Sequence, residues 1–175
     1  MEEKHWYIAI VGHNTEISSA EKLAALHEVF LPTQRVVSIW KDGRRKMRIK
    51  VLLPGKLLVH CTEKERLEIC KLPYINRFMV DSASGVDGFG RHKIAVVPKD
   101  QIDRFKIVLG VPDESVEIDN LNLCEGERVR VITGSLKSLE GIVTDFSSPK
   151  TKLHILIDHL GCASVEVEVS SLERI

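Results

Sequence analysis

An α+β domain followed by a small all-β module is the architecture that the 175 residues predict, and three observations carry it. His5 to Val11, HWYIAIV, is a near-continuous run of apolar, aromatic and β-branched residues, the pattern of a strand covered on both faces. Helix-capping and hairpin signals then alternate through the first 110 residues. Finally, Cys124 to Phe146, CEGERVRVITGSLKSLEGIVTDF, sets a strand, a glycine turn, a second glycine and a second strand in order.

His5 to Val11 is the expected central strand. Ser18 and Glu21 stand at capping-box spacing before Leu23, Ala24, Ala25 and Leu26, which predicts a short helix. Phe30, Leu31 and Pro32 close that crossover. Gln34 to Trp40 alternates as a strand, Asp42-Gly43 signals a tight hairpin, and Arg45 to Leu53 returns. Pro54-Gly55 breaks the chain before Lys56 to Cys61, KLLVHC, another buried strand. Thr62 and Glu65 repeat the capping-box spacing and open a helix through Leu67, Ile69 and Cys70. Phe78 to Val80 and Lys93 to Val97 read as strands around a flexible glycine-rich loop, Ser82 to His92. Pro98 starts a last helix with Ile102, Phe105, Val108 and Leu109 on one face, ended by Gly110. The predicted order, β-α-β-β-β-α-β-β-α, suits a mixed sheet with flanking helices.

The formal net charge is zero, yet residues 1–110 hold 19 Lys and Arg against 13 Asp and Glu, while residues 111–175 hold 6 against 12. The first part can attract a polyanion and the second cannot do so strongly. Val111 to Leu123, with Asp113, Glu114, Glu117 and Asp119 and no basic residue, reads as an acidic linker. Three segments follow: a domain at 1–110, a linker at 111–123 and an all-β module at 124–175. Glu127 to Ile132 should place Val129 and Val131 on one face, with Gly134 in the turn and Gly141 allowing close strand approach.

Several functions are excluded or disfavoured by composition. No run is long and apolar enough to be a signal peptide or a membrane span, so a cytoplasmic protein is expected. The four cysteines, Cys61, Cys70, Cys124 and Cys162, lack metal-ligand spacing and read as buried free thiols. Gly85, Gly88 and Gly90 do not form a phosphate-binding fingerprint. No catalytic triad, paired-carboxylate motif or metal cluster stands out, so no enzyme activity and no cofactor are expected.

Residues 124–146 resemble a KOW motif, the core of small barrels that bind RNA or proteins, although glycine-punctuated hairpins also occur in unrelated all-β domains. WYIAIV at Trp6 to Val11, EVFLPT at Glu28 to Thr33, the basic hairpin, LLPGKLLV at Leu52 to Val59 and LPYINRFMV at Leu72 to Val80 together resemble the NGN domain of the NusG family of transcription elongation factors. The resemblance covers nearly the whole chain. It implies a monomer with an α+β NGN domain and a KOW barrel that binds RNA polymerase. Leu52, Leu53 and Lys56 stand where housekeeping members have aromatics, and the loop Ser82 to His92 is long. These departures resemble specialised paralogues of the UpxY and RfaH type, which act on particular operons as antiterminators. A housekeeping NusG role, or a KOW-type RNA- or ribosome-binding module without polymerase contact, are the alternatives. Against the last, residues 124–175 carry 6 basic and 8 acidic residues.

The resemblance also implies sites. Ile10, Leu53 and Leu58, with Trp6 and Lys56 at the margin, correspond to an outward-facing apolar seat for the polymerase clamp helices. Arg66 and Glu68, with Leu67 and Ile69, correspond to a contact with the polymerase gate loop. Gly12, His13 and Asn14 end the first strand where the family meets the non-template DNA strand, and Arg77 and Arg91 could reach phosphates. Lys41, Arg44, Arg45, Lys46, Arg48 and Lys50 are candidates for upstream DNA. In the second module His159, Leu160, Gly161 and Cys162 occupy the loop implied to meet ribosomal protein S10, with Leu160 as anchor. Plainer roles fit the same residues: core packing for Trp6, solvated helix charges for Arg66 and Glu68, a soluble edge for the hairpin, and an ordinary turn at Leu160.

Overall fold

The computed structural model describes residues 2–110, 116–119 and 126–175. The chain divides into two compact units, Met1–Lys99 and Asp100–Ile175. In order, the first contains β1 (His5–Ile10), α1 (Glu16–Ala24), β2 (Glu28–Phe30), β3 (Thr33–Ile39), β4 (Arg45–Val51), β5 (Lys56–Cys61), α2 (Glu63–Ile69), β6 (Arg77–Phe78), β7 (Val80–Val86), β8 (His92–Ile94) and β9 (Val96–Val97). The architecture is α+β, with more and shorter strands than the sequence predicts.

The expected central strand is central. In the main sheet the order is β2-β5-β1-β6, with β9 also pairing with β1, and every pairing is antiparallel, which corrects the expected mixed sheet: neighbouring strands here run in opposite directions, with no parallel crossover between them among the described residues. Tyr7, Ala9 and Val11 alternate to one face beside Leu57, Val59 and Cys61, where they meet Leu23 of α1, Ile69 of α2, Ile75 and Phe78. Trp6 and Ile8, of opposite parity, are buried as well, which accounts for the unbroken apolar run in HWYIAI. Each large apolar side chain so removed from water contributes about 1.5–3 kcal/mol before entropy is counted.

The two helices differ in how they begin. At α2 the predicted capping box is present: Thr62 accepts from the Glu65 backbone N–H, and the Glu65 carboxylate accepts from the Thr62 N–H at 2.7 Å. At α1 the Ser18/Glu21 reading is corrected. The helix starts at Glu16 with Thr15 as N-cap, and Ser18 lies inside it, donating its hydroxyl to the Thr15 carbonyl at 3.0 Å. A serine three residues before a glutamate also fits helix-interior positions, so the spacing placed the start too late.

Arg66 ties α2 to the sheet. Its guanidinium hydrogen-bonds the Glu63 carboxylate, donating from Nε to Oε2 at 2.8 Å, and sits 5.8 Å from the Tyr7 ring centroid and 5.5 Å from that of Phe78. The Tyr7 hydroxyl donates to the same Glu63 oxygen at 3.2 Å. Burial, reinforced by the Glu63 charge, pushes the Tyr7 phenol up to about 12. The hydrogen bond from Arg66 holds the Glu63 carboxyl below the usual carboxylate range.

Two hairpins stand as separate two-stranded sheets, β3 with β4 and β7 with β8. The second corrects the reading of Ser82 to His92 as a flexible loop. Strands run into it from both sides, a register shift falls between Asp81 and Val86, and Gly88 and Gly90 lie in the turn that follows.

The second unit takes in α3 (Lys99–Leu109) from its second residue onwards, then β10 (Glu117–Asp119), β11 (Glu127–Val131), β12 (Glu140–Val143), β13 (Lys150–Ile157), β14 (Gly161–Glu168) and β15 (Leu172–Arg174). Ile102, Phe105 and Val108 are the buried face of α3, as their spacing predicts. The strands pair in the order β10-β14-β13-β12-β11-β15. Among the described residues no pairing joins β10 to β15, so these strands form a six-stranded antiparallel sheet. Val129, Val131, Val143, Leu153, Ile155, Ile157 and Val165 are buried. The acidic segment read as a linker lies partly outside the described residues. Its Glu117–Asp119 portion is strand β10 on β14, with Glu117 paired to Lys152.

Gly141 serves the close approach expected of it: a Cβ there would lie 2.7 Å from the His154 carbonyl oxygen and 2.8 Å from Leu153 Cδ1. Gly141→Ala should therefore destabilise the second unit by about 1–3 kcal/mol, measured by urea denaturation of the full chain. A depressed carboxyl such as Glu63 stabilises the fold above its unfolded pKa, and that contribution fades as pH falls through the folded value. Glu63→Gln should cost roughly 1 kcal/mol or less near neutral pH, because the carboxylate is half-exposed, and the difference from wild type should vanish in acid.

Candidate nucleic-acid interface

One end of the main sheet gathers residues from four places in the chain. Ile10 ends β1 and lies opposite Lys56 of β5 on one side and Arg77 of β6 on the other. The Pro54-Gly55 turn sits beside it: the Val11 N–H donates to the Gly55 carbonyl at 2.9 Å, and Gly55 has φ +71, a conformation that favours glycine. Exposed His13 lies against this turn, since a Cβ on Gly55 would stand 3.7 Å from His13 Cε1. A buried carboxylate braces the group from within. Glu16, only 5% exposed, accepts the Gly55 N–H at 2.8 Å.

The outward-facing apolar seat is corrected at three of its members. Trp6 is 3% exposed, Leu53 4% and Leu58 0%. Leu58 lies between β1 and β2, opposite Ile8 and Phe30, and the turn directs Pro54 outward while Leu52 and Leu53 turn in. Ile10 and Lys56 are half-buried and retain surface. Arg66 is also corrected: at 7% exposed it is the brace between α2 and the sheet. Glu68 is exposed, paired to Lys71 at 2.6 Å, with Leu67 half-exposed beside it.

The β3–β4 hairpin carries its cations in the open. Lys41, Arg44, Arg45, Lys46, Arg48 and Lys50 are all exposed, and among the described residues the hairpin's one ion pair joins Arg44 to Asp42 at 2.6 Å. The register divides the two faces. Val37 opposes Met47, Arg35 opposes Ile49 and Ile39 opposes Arg45 on one; Gln34, Val36 and Ser38 oppose Lys50, Arg48 and Lys46 on the other. Val37, Ile39, Met47 and Ile49 are each more than half exposed, so the apolar side of this strand pair is uncovered. Trp40, the residue after β3, is 52% exposed with the Arg48 guanidinium 5.9 Å from its ring centroid.

At the tip of β7–β8, Asp87 accepts the backbone N–H groups of Phe89 at 2.8 Å and Arg91 at 2.9 Å, fixing a turn that displays Phe89 at 83% exposure. Arg91 lies over that ring, 5.1 Å from the centroid, and pairs with Asp87 at 3.4 Å. In the second unit His159 is exposed with φ +67 and Gly161 has φ +99, as the β13–β14 turn requires. Leu160 is 6% exposed and Cys162 1%, so the expected anchor and its neighbour are interior. Cys162 continues β14 opposite Leu156, and Sγ lies 4.0 Å from Nδ1 of buried His154. Cys61 is buried too, while Cys70 is exposed, contrary to expectation, and Cys124 lies outside the described residues.

The profile of one protein family, described as transcription termination factor nusG, matches residues 4–106, more than half of the chain. The chain belongs to the NusG family. The transcription termination/antitermination protein NusG of Synechocystis is 24% identical over 185 residues, covering 98% of this chain and 90% of that one. NusG of Staphylococcus aureus is 25% identical over 163 residues, covering 91% and 84%. A solved structure concerned with domain interaction in Thermotoga maritima NusG aligns over 99% of this chain and 98% of that one, with 19% identity and a TM-score of 0.48. The family profile spans the sheet end and both hairpins of this NusG-family chain.

Glu16 is the site residue that sequence inspection missed, because its partner lies 39 positions away. Glu16→Ala should leave the Gly55 N–H unpaired and cost about 1–3 kcal/mol, measured by thermal denaturation. Glu16→Gln, which can still accept that bond, should recover part of the loss.

Proposed function

We propose that this NusG-family protein is a non-enzymatic, cytoplasmic transcription antitermination factor of the UpxY type, which binds elongating RNA polymerase and suppresses pausing across a particular operon. The observation that carries the reading is the gathering of Ile10, His13, Lys56 and Arg77 at one sheet end inside the family-matched segment. Ile10 offers an apolar contact to the clamp helices, and its cationic neighbours suit the phosphates of a displaced DNA strand. Glu68 meets the gate loop, Arg91 reaches DNA phosphates, and the hairpin cations hold upstream DNA. The second unit is a KOW module whose β13–β14 turn docks a ribosomal partner through exposed His159. Relatives matched over most of their length are termination/antitermination proteins NusG, which favours a housekeeping role as the second reading.

In transcription reconstituted with the cognate polymerase, the full chain should shorten pauses and raise read-through at terminators. Ile10→Ala should weaken polymerase binding by about tenfold, the loss of one interface anchor. A folded protein that leaves pausing and termination unchanged and fails to bind polymerase would contradict the proposal. Genome-wide occupancy separates the two readings: one operon supports the specialised role, and most transcription units the housekeeping one.

A further inference from the structure

Beside Trp40 the hairpin forms an open recess of about 540 Å³, lined by Ser38, Ile39, Trp40, Lys41, Asp42 and Arg48. Its parts are unlike those of a surface that merely grips phosphates. An exposed indole and two exposed cations, Lys41 and Arg48, line it together with Ser38 and Asp42. The backbone around the indole is fixed, because the Trp40 N–H donates to the Arg44 carbonyl at 2.9 Å and the Trp40 carbonyl accepts from Gly43 at 2.9 Å. Asp42 is held as well, accepting from Arg44 Nε at 2.6 Å and from the Arg44 backbone N–H at 3.1 Å, with lone pairs to spare.

We infer that this recess is a subsite for an unpaired nucleobase of a single-stranded nucleic acid. The base stacks on Trp40, the adjoining phosphates lie against Lys41 and Arg48, and the Ser38 hydroxyl and Asp42 carboxylate face the edge of the base. The inference deepens the nucleic-acid role proposed for the hairpin and rests on it. Charge complementarity selects a polyanion, since six exposed cations lie along the hairpin from Lys41 to Lys50 against a single aspartate, Asp42. The indole then selects among polyanions. A duplex keeps its base faces inside the stack, where Trp40 could meet only sugar and phosphate, whereas a free strand presents those faces to an aromatic side chain. An anionic lipid surface would also take up tryptophan, isoleucine and cations, but it would press the Asp42 carboxylate against lipid.

Trp40 reports on its own site, because the chain has two tryptophans and the other, Trp6, is buried. The full chain is titrated with a single-stranded oligothymidylate, with a duplex of equal length, and with vesicles of anionic phospholipid. The single strand should quench tryptophan emission, and Trp40→Ala should weaken its binding by about tenfold, the worth of one base stack, while Trp40→Phe retains most of it. Duplex affinity should change little in Trp40→Ala and fall in Arg48→Ala, with a shallower salt dependence. Failure to bind the single strand overturns the inference. So does equal loss on strand and duplex, or vesicle binding that depends on Trp40. Duplex binding that needs Arg48 with single-strand binding indifferent to Trp40 removes the recess yet leaves the hairpin's DNA role standing. Polymerase binding is read separately.

Discussion

Strand β1 is the constraint from which the rest of the first unit follows. It is hydrogen-bonded on both sides and its residues from Trp6 to Ala9 are buried, so its sequence must be apolar at every position. A strand enclosed in this way can present side chains to a partner only at its ends. Ile10 is where burial begins to relax, and there the pairing sets Lys56 and Arg77 on either side of it. An accessible apolar residue between two cations is therefore a consequence of register. The Glu16 carboxylate and the left-handed Gly55 hold the adjoining turn in place from inside the fold.

The hairpins obey the opposite logic. Among the described residues each pairs only with itself, and the β3–β4 pair leaves Val37, Ile39, Met47 and Ile49 uncovered. Hydrophobic burial cannot account for such a strand pair, and like charges on neighbouring strands repel. What holds it is the backbone ladder from Thr33 to Val51 and the Asp42-Gly43 turn, with Arg44 and Arg48 engaged by Asp42 and Trp40. A surface both cationic and apolar is suited to a ligand that is anionic and has flat apolar faces. The sheet end and the hairpins thus expose side chains of different character, one apolar residue between two cations in the first and mixed apolar and cationic faces in the second.

Arg66 shows how the same residue type takes opposite roles. On a short exposed helix its charge would be solvated, but the Glu63 carboxylate and two aromatic faces make burial tolerable. The guanidinium thereby becomes part of the packing between α2 and the sheet. Its neighbour Glu68 remains at the surface because the helix turns it away.

Local patterns settled much of this protein in advance. Apolar continuity marked β1 and β5, the Thr62/Glu65 pair marked α2, the Asp42-Gly43 turn marked the basic hairpin, and Gly141 marked a close strand contact. Those features depend on residues near in the chain, or on a need that one residue type alone meets. Exposure was not legible in the same way. Whether Leu53, Leu58 and Leu160 face water depends on which strand lies beside them and which way a turn rolls, and those partners are distant in sequence. The Glu16–Gly55 bond and the recess beside Trp40 belong to the same class. Residue order alone determined the family and the elements with strong local signals, β1, β5, α2 and the basic hairpin, through periodicity and turn chemistry; tertiary packing decided the remaining strand boundaries and which side chains are left for a partner, because burial and pairing are properties of neighbours brought together only by folding.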